Sequence, residues 1–349
     1  MIESTNVIGP DVSAETDEEQ ISKATSFVVV NKSNDKKYSI KKQLGKGGYG
    51  TVFLCTDSKN RIRALKTETD PALTQEIQIF KEANKRKYVH IVNMYDYGSC
   101  SEFINPFFTM TCLGRNLADI KKRLPSKTFS KSTTLRTLMQ TLSAINELHS
   151  LGYVSRDVKP SNFCLGRPLV APKSIYIIDF GVARDFRSDN ESTIIKNYCV
   201  TSFKGTVRYC PLANHQFKLQ CRRDDIESWF YMGYEFFEGK LPWNRIPRRA
   251  RHRVKDIKTI LRTPTPKMFA QAPKFMYNLL LDIDKIKFLE KPNYEYIQGL
   301  LKTTFTDSGY NYQEQYDWEL QANTSLIEDN NDEDLTTECT SRRKRKKSK

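Results

Sequence analysis

Two short polar stretches constrain this chain more than any bulk property does. The first is Tyr153-Val154-Ser155-Arg156-Asp157-Val158-Lys159-Pro160-Ser161-Asn162. The second, Ile178-Asp179-Phe180-Gly181, sets its aspartate seventeen positions beyond Asn162. Together they align an Asp, a Lys, an Asn and a second Asp in fixed order. Upstream, Leu135, Leu138, Met139, Leu142, Ile145 and Leu148 recur at helical spacing. That pattern predicts a helix over residues 132–151 with one buried face, stopped near Gly152. The helix is the scaffold that delivers the first stretch.

Those four side chains suit phosphoryl transfer, which leaves a protein little covalent chemistry to do beyond positioning and charge neutralisation. Asp157 is of the type that accepts or orients a hydroxyl proton, and Asn162 and Asp179 are of the type that holds magnesium. Nearer the amino terminus runs Gly45-Lys46-Gly47-Gly48-Tyr49-Gly50-Thr51-Val52. Glycines let backbone amides approach phosphates closely, with no Cβ in the way. A dinucleotide-binding unit would continue into a helix, with an acidic residue about 20 positions on. Here the glycines lead into Thr51-Val52-Phe53-Leu54-Cys55, an apolar β-prone run, which argues against an oxidoreductase.

In this order the motifs resemble those of the protein kinases, whose catalytic loop reads H-R-D-x-x-x-x-N and whose metal loop reads D-F-G. Arg63-Ala64-Leu65-Lys66 is similar to the family's V-A-I-K strand. The resemblance implies an α+β, bilobal protein kinase fold: a small β-rich lobe with one key helix, and a larger, mainly helical lobe. It implies that Lys66 binds nucleotide phosphates and pairs with Glu76, which opens an amphipathic pattern in Gln75-Glu76-Ile77-Gln78-Ile79-Phe80. By the same resemblance Lys159 neutralises the γ-phosphate, Thr206 supports the substrate hydroxyl beside Asp157, and Asn162 and Asp179 hold Mg2+. The ATP-contacting set it implies is Leu44, Gly45, Lys46, Gly47, Gly48, Tyr49, Gly50, Val52, Ala64, the gatekeeper Met110, and Thr111, Cys112 and Leu113 of the hinge. The form D-x-K-P-x-N favours Ser/Thr acceptors. Ser155 departs from the pattern, standing where the family usually has His. Being smaller, it is expected to support Asp179 and Phe180 more loosely, with some loss of activity.

Finer motifs resemble the casein kinase 1 superfamily, above all its tau-tubulin kinase branch. Gly114-Arg115-Asn116-Leu117-Ala118-Asp119 is similar to that branch's Q-G-R-N-L-A-D-L, and Phe203-Lys204-Gly205-Thr206-Val207-Arg208-Tyr209 to F-R-G-T-V-R-Y. Asp224-Asp225-Ile226-Glu227-Ser228 resembles D-D-L-E-S, which implies that Asp225 anchors the catalytic-loop backbone from a buried helix. Lys291-Pro292-Asn293-Tyr294 and Tyr316-Asp317-Trp318-Glu319 match landmarks near the domain's end. The A-P-E motif is missing, as it is in that superfamily. Basic groups that read an acidic or phosphorylated residue in some relatives are represented by Arg245, Arg248, Arg249, Arg251 and Arg253. Tyr198 falls where many relatives have an arginine, so an anion preference is expected without strict priming. A solvated basic face is the competing reading.

A net charge of +15 favours anionic partners. No run approaches the roughly 18 apolar residues of a membrane span, and the start lacks the order of a signal peptide. The chain therefore reads as cytoplasmic or nuclear and not secreted, its eight scattered cysteines as reduced. Residues 1–36 read as a disordered acidic leader, with Phe27-Val28-Val29-Val30 either an edge strand or a docked arm. Residues 37–319 form the domain, divided at about 112, and 320–349 a polar tail ending in Arg342-Arg343-Lys344-Arg345-Lys346-Lys347. That run reads as a nuclear import signal, an anionic-surface tether or a solvated tail. The expected activity is ATP- and Mg-dependent phosphorylation of acidic or cytoskeletal proteins by a monomer, without specific nucleic acid recognition or a membrane. Its rivals are a nucleotide-binding scaffold without transfer and a polyanion- or microtubule-surface binder.

Overall fold

The computed structural model describes residues 27–46, 50–69, 72–167, 171, 173–190, 202–263 and 266–320. The chain divides into two compact units. Of the described residues, one unit holds those up to Leu73 together with Tyr95–Cys112, the other Thr74–Met94 and those from Leu113 to Leu320. Gly47, Gly48, Tyr49, Tyr198 and the basic run 342–347 lie outside the described residues.

The first unit is a six-stranded sheet. Its strands are β1 (Val28–Val30), β2 (Lys37–Lys46), β3 (Gly50–Asp57), β4 (Ile62–Glu68), β5 (Met94–Gly98) and β6 (Phe107–Thr111), in the order β1-β2-β3-β4-β6-β5. Alternation drives the pairing: Tyr38 and Ile40 of β2 are buried while Lys37 and Lys41 are exposed. The core collects Val29, Tyr38, Ile40, Phe53, Cys55, Leu65, Cys100 and Phe107. The β2–β3 register shifts twice, between Ile40 and Lys42 and between Gln43 and Gly45. Such irregularities sharpen twist where the hairpin approaches its glycines. At Gly50 a Cβ would fall 2.2 Å from the Thr67 carbonyl oxygen, so this glycine is required by close strand approach.

Of the two readings of Phe27–Val30, edge strand or docked arm, the strand is the one found, ahead of residue 37. Strand β1 pairs antiparallel with β2 and buries Val29 completely. Asn31 follows, fully buried, its amide donating to Asp96 at 2.9 Å. Asp96 also accepts from Tyr38 at 2.7 Å and Asn34 at 2.8 Å. Once these donors close around one buried carboxylate, residues from 27 onward belong to the folded unit and not to a leader.

The second unit is mainly helical. Helix α1 (Ala72–Arg86) belongs to it from Thr74 onward. It starts at Ala72 and not at Glu76, because Leu73 (1% exposed) extends the buried stripe of Glu76, Ile79 and Phe80 by a turn. Next come α2 (Leu117–Arg123) and α3 (Lys131–Ser150). Ser130 caps α3 by accepting from Thr133 N–H, and Leu135, Leu138, Leu142, Ile145 and Leu148 are buried as the spacing predicts. Asp317 accepts the Ser130 N–H at 2.6 Å and Arg136 stacks 4.0 Å over Tyr316, so the late Tyr316–Glu319 landmark pins the start of α3.

Hairpin strands β7 (Tyr153–Val154), β8 (Phe163–Leu165), β9 (Ile175–Ile177) and β10 (Arg184–Asp185) follow, paired β7 with β10 and β8 with β9. Helices α4 (Leu212–His215), α5 (Arg222–Glu238), α6 (Arg251–Ile260), α7 (Phe275–Lys285) and α8 (Tyr294–Asp307) complete the unit. Helix α5 is buried from Asp224 to Phe237, which makes it the unit's axis. A sheet unit and a helical unit are the two parts expected of an α+β chain.

Candidate active site

The catalytic loop leaves β7 at Ser155 and returns through a short 3-10 turn, Pro160–Asn162, into β8. Its backbone is held by one carboxylate: Asp225 of α5, 1% exposed, accepts the N–H of Ser155 at 2.6 Å and of Arg156 at 2.9 Å. His149 of α3 donates Nε2–H to Asp225 at 2.9 Å. With Nε2 as donor, Nδ1 accepts the Tyr294 hydroxyl, which gives the Lys291–Tyr294 landmark its role. Arg156 sits at φ 62°, a strained conformation, and its guanidinium donates to the carbonyls of Val182 and Ala183.

The Asp157 carboxylate lies at the centre. Lys159 Nζ donates to Oδ2 at 2.5 Å and the Thr206 hydroxyl to Oδ1 at 2.8 Å. Lys159 also reaches Thr206 Oγ1 at 3.2 Å, closing a triangle. Thr206 can come this close because Gly205, at φ +94°, packs so tightly on Arg156 that a Cβ would fall 2.4 Å from its carbonyl oxygen. Asn162 donates its amide to the Asp157 carbonyl at 3.0 Å. Burial pushes the Asp157 carboxyl above its ordinary 3.8, Lys159 and Thr206 oppose that, and the nearby Asp179 charge adds to it.

Asp179 sits at φ 67°, again strained, as functional loops often are. Phe180 is fully buried, its ring 5.3 Å from Phe80 of α1, and its N–H donates to Glu76 at 3.1 Å. Gln75 adds a bond to Ala183 at 2.5 Å. Helix α1 thus grips the Asp179–Ala183 segment on two successive residues. Support for that segment comes from α1 and Arg156, so the smaller Ser155 does not leave it unheld. Ser155 is itself 2% exposed, and its hydroxyl lies 3.4 Å from Asp157 N–H.

In the sheet unit, Val52 lies opposite Lys66 and Ala64 opposite Met110, with Lys66 also opposite Phe108. Cross-strand partners share a face, so Val52, Ala64, Lys66 and Met110 line one side of the sheet. Gly45 and Lys46 sit opposite Val52 and Thr51, with Leu44 beside them, half exposed. Thr111 ends β6, and Cys112 and Leu113 straddle the division between units. Lys66 pairs with the buried Glu68 at 2.7 Å. Glu68 was missed in the sequence, although two positions along a strand return a side chain to the same face.

Asn162 and Asp179 would supply one amide oxygen and one carboxylate. Magnesium commonly takes only one or two protein carboxylates alongside phosphate and water oxygens, so this donor set fits it. Of the basic cluster, Arg245, Arg249 and Arg253 are exposed. Arg251 is exposed as well, its guanidinium 4.8 Å over the Phe217 ring.

Residues 38–307 match the family model described as a protein kinase domain. The chain is 30% identical over 302 residues to the serine/threonine-protein kinase spe-6 of Caenorhabditis elegans, covering 84% of this chain and 78% of that one. A further C. elegans chain bearing a casein kinase I name is 32% identical over 83% of this chain and 85% of its own length. The casein kinase I homolog 1 of Saccharomyces cerevisiae is 29% identical over 80% of this chain and 53% of its own.

Proposed function

Since the chain belongs to the protein kinase family and is a serine/threonine kinase, we propose that it transfers the γ-phosphate of ATP, with magnesium, as casein kinase 1 enzymes do. The carrying observation is the Asp157 carboxylate held between Lys159 and Thr206. Asp157 orients and accepts the proton of an incoming Ser or Thr hydroxyl, and Thr206 fixes the oxygen that receives it. Lys159, tethered to the same carboxylate, neutralises charge on the phosphoryl group as it moves. Bound magnesium would neutralise the phosphate oxygens, held by Asn162 and Asp179. Lys66 binds nucleotide phosphates, and the face of Val52, Ala64 and Met110 receives the base.

The tau-tubulin branch is supported by the motifs at Gly114–Asp119 and Phe203–Tyr209. Exposed Arg245, Arg249 and Arg253 favour acidic or cytoskeletal protein substrates over neutral ones. The enzyme acts as a monomer in the cytoplasm and nucleus, without specific nucleic acid recognition. Transfer of radiolabelled phosphate from ATP to casein and tubulin, with Asp179→Ala as control and phosphoamino-acid identification, tests this reading. Label on Ser or Thr that vanishes in the control upholds it. Folded, nucleotide-binding protein that labels no acceptor, itself included, replaces it with a scaffold.

A further inference from the structure

Helix α6 carries a lysine whose burial packing alone does not account for. Lys258 is fully buried, and among the described residues none of its hydrogen bonds goes to a carboxylate. Its Nζ donates to the carbonyls of Val207 at 3.0 Å and Cys210 at 2.6 Å, and lies 3.3 Å from His215 Nε2. The ring faces of Tyr231 and Trp243 flank it at 4.8 and 5.1 Å. Taking an ammonium out of water is costly before compensation, so a leucine or methionine would fill this space with less penalty. What the nitrogen adds is a grip on one turn of main chain.

That turn follows Thr206. The Thr206 carbonyl accepts from Tyr209 and Cys210 N–H, the Arg208 carbonyl accepts Trp243 Nε1–H at 2.8 Å, and the carbonyls of Val207 and Cys210 go to Lys258. Seven residues earlier on α6, Arg251 lies 4.8 Å from the Phe217 ring and 5.6 Å from Phe203. One helix therefore holds the segment 203–210 at both ends, with Thr206 between. A groove of about 290 Å³ opens on the same turn, lined by Thr206, Val207, Arg208, Trp243, Ile246 and Val254.

We propose that Lys258 is a positioning residue for the protein acceptor, fixing the turn that presents Thr206 to Asp157 and the groove beside it. The proposal rests on the phosphoryl-transfer reading. It separates protein binding from nucleotide binding, because the carbonyls that Lys258 holds belong to that turn.

The test is steady-state phosphorylation of casein by the full chain, comparing wild type with Lys258→Met and Lys258→Gln. Removing the donor (Lys258→Met) should raise the KM for casein by about tenfold or more, with the KM for ATP within about twofold. Lys258→Gln, which keeps a donor, should recover part of the loss. Arg251→Leu, at an exposed position, should show the same split more weakly, and it serves if Lys258→Met does not fold. An unchanged casein KM in the folded variants, or equal rises for casein and ATP, overturns the proposal. Wild-type protein that transfers no phosphate overturns the kinase reading, and the proposal with it.

Discussion

The main-chain N–H of Ser155 donates to Oδ2 of Asp225 at 2.6 Å, so the catalytic loop is anchored through backbone at the very residue where the family's usual histidine is absent. The Ser155 hydroxyl contributes only a long contact to Asp157 N–H. Ser155→Ala should therefore keep kcat within about threefold and cost less than about 1 kcal/mol of stability. Asp225→Ala should do far worse, leaving the N–H groups of Ser155 and Arg156 and the His149 donor unpaired. Loss of about 3 kcal/mol or more is expected. Denaturant unfolding with kinetics on the same samples checks both, and a Ser155→Ala enzyme as crippled as Asp225→Ala would refute the backbone-anchor account.

Asp157→Asn should lower kcat roughly 100- to 10,000-fold with little change in KM for ATP. Burial raises the affinity of Asp157 for its proton, and the protonated acid cannot accept another. The wild-type rate should therefore decline on acidification at a pH above that of a free carboxylate. The residual rate of Asp157→Asn should lack that limb. A pH profile of kcat/KM for both proteins decides, and matching acid limbs would remove Asp157 from the proton transfer.

Lys66→Met should do more than abolish phosphate binding. Glu68 is 2% exposed and would lose its 2.7 Å partner, leaving a buried carboxylate poorly compensated. Breaking such a pair from one side typically costs about 3–5 kcal/mol, less where solvent still reaches one partner. The double variant Lys66→Met, Glu68→Gln should regain much of that stability yet stay inactive. Unfolding curves of the two variants separate the effects, and equal stability would show the pair to be of no structural account.

His215 faces the Lys258 ammonium in a buried setting, and burial first, then that charge, hold its pKa down to about 3. In the unfolded chain it takes up a proton below about 6.5. The unfolded state therefore binds more protons between those values, and stability falls as pH falls from 6.5 toward 3. The slope attributable to His215 approaches about 1.4 kcal/mol per pH unit. His215→Gln should be measurably less sensitive to acid over that window. Identical pH–stability curves would show that His215 is not the group responsible.

Motif order made the helical unit's site legible: Asp157, Lys159 and Asn162 share one loop, Asp179 and Thr206 sit in two short motifs after it, and their residue types carry their chemistry. Contacts that depend on distant packing were less visible. Nothing in the spacing of His149, Asp225 and Tyr294 says that three helices bring them into one relay. Glu68 and Lys258 look like ordinary surface charges until burial is known. The run Phe27–Val30 reads equally as an edge strand or a docked arm because so short a stretch carries no periodicity, and pairing with β2 selects the strand.

A chain begun at residue 37 would lose strand β1 and bare the backbone donors and acceptors of Lys37, Tyr38 and Ser39, which now face Val30, Val29 and Val28. An unpaired row of that kind is a template on which a second molecule can add its own strand. Light scattering should find such a shortened protein clustering at concentrations where the full chain stays dispersed. At three residues, β1 leaves a far shorter edge than the ten-residue β2 it covers.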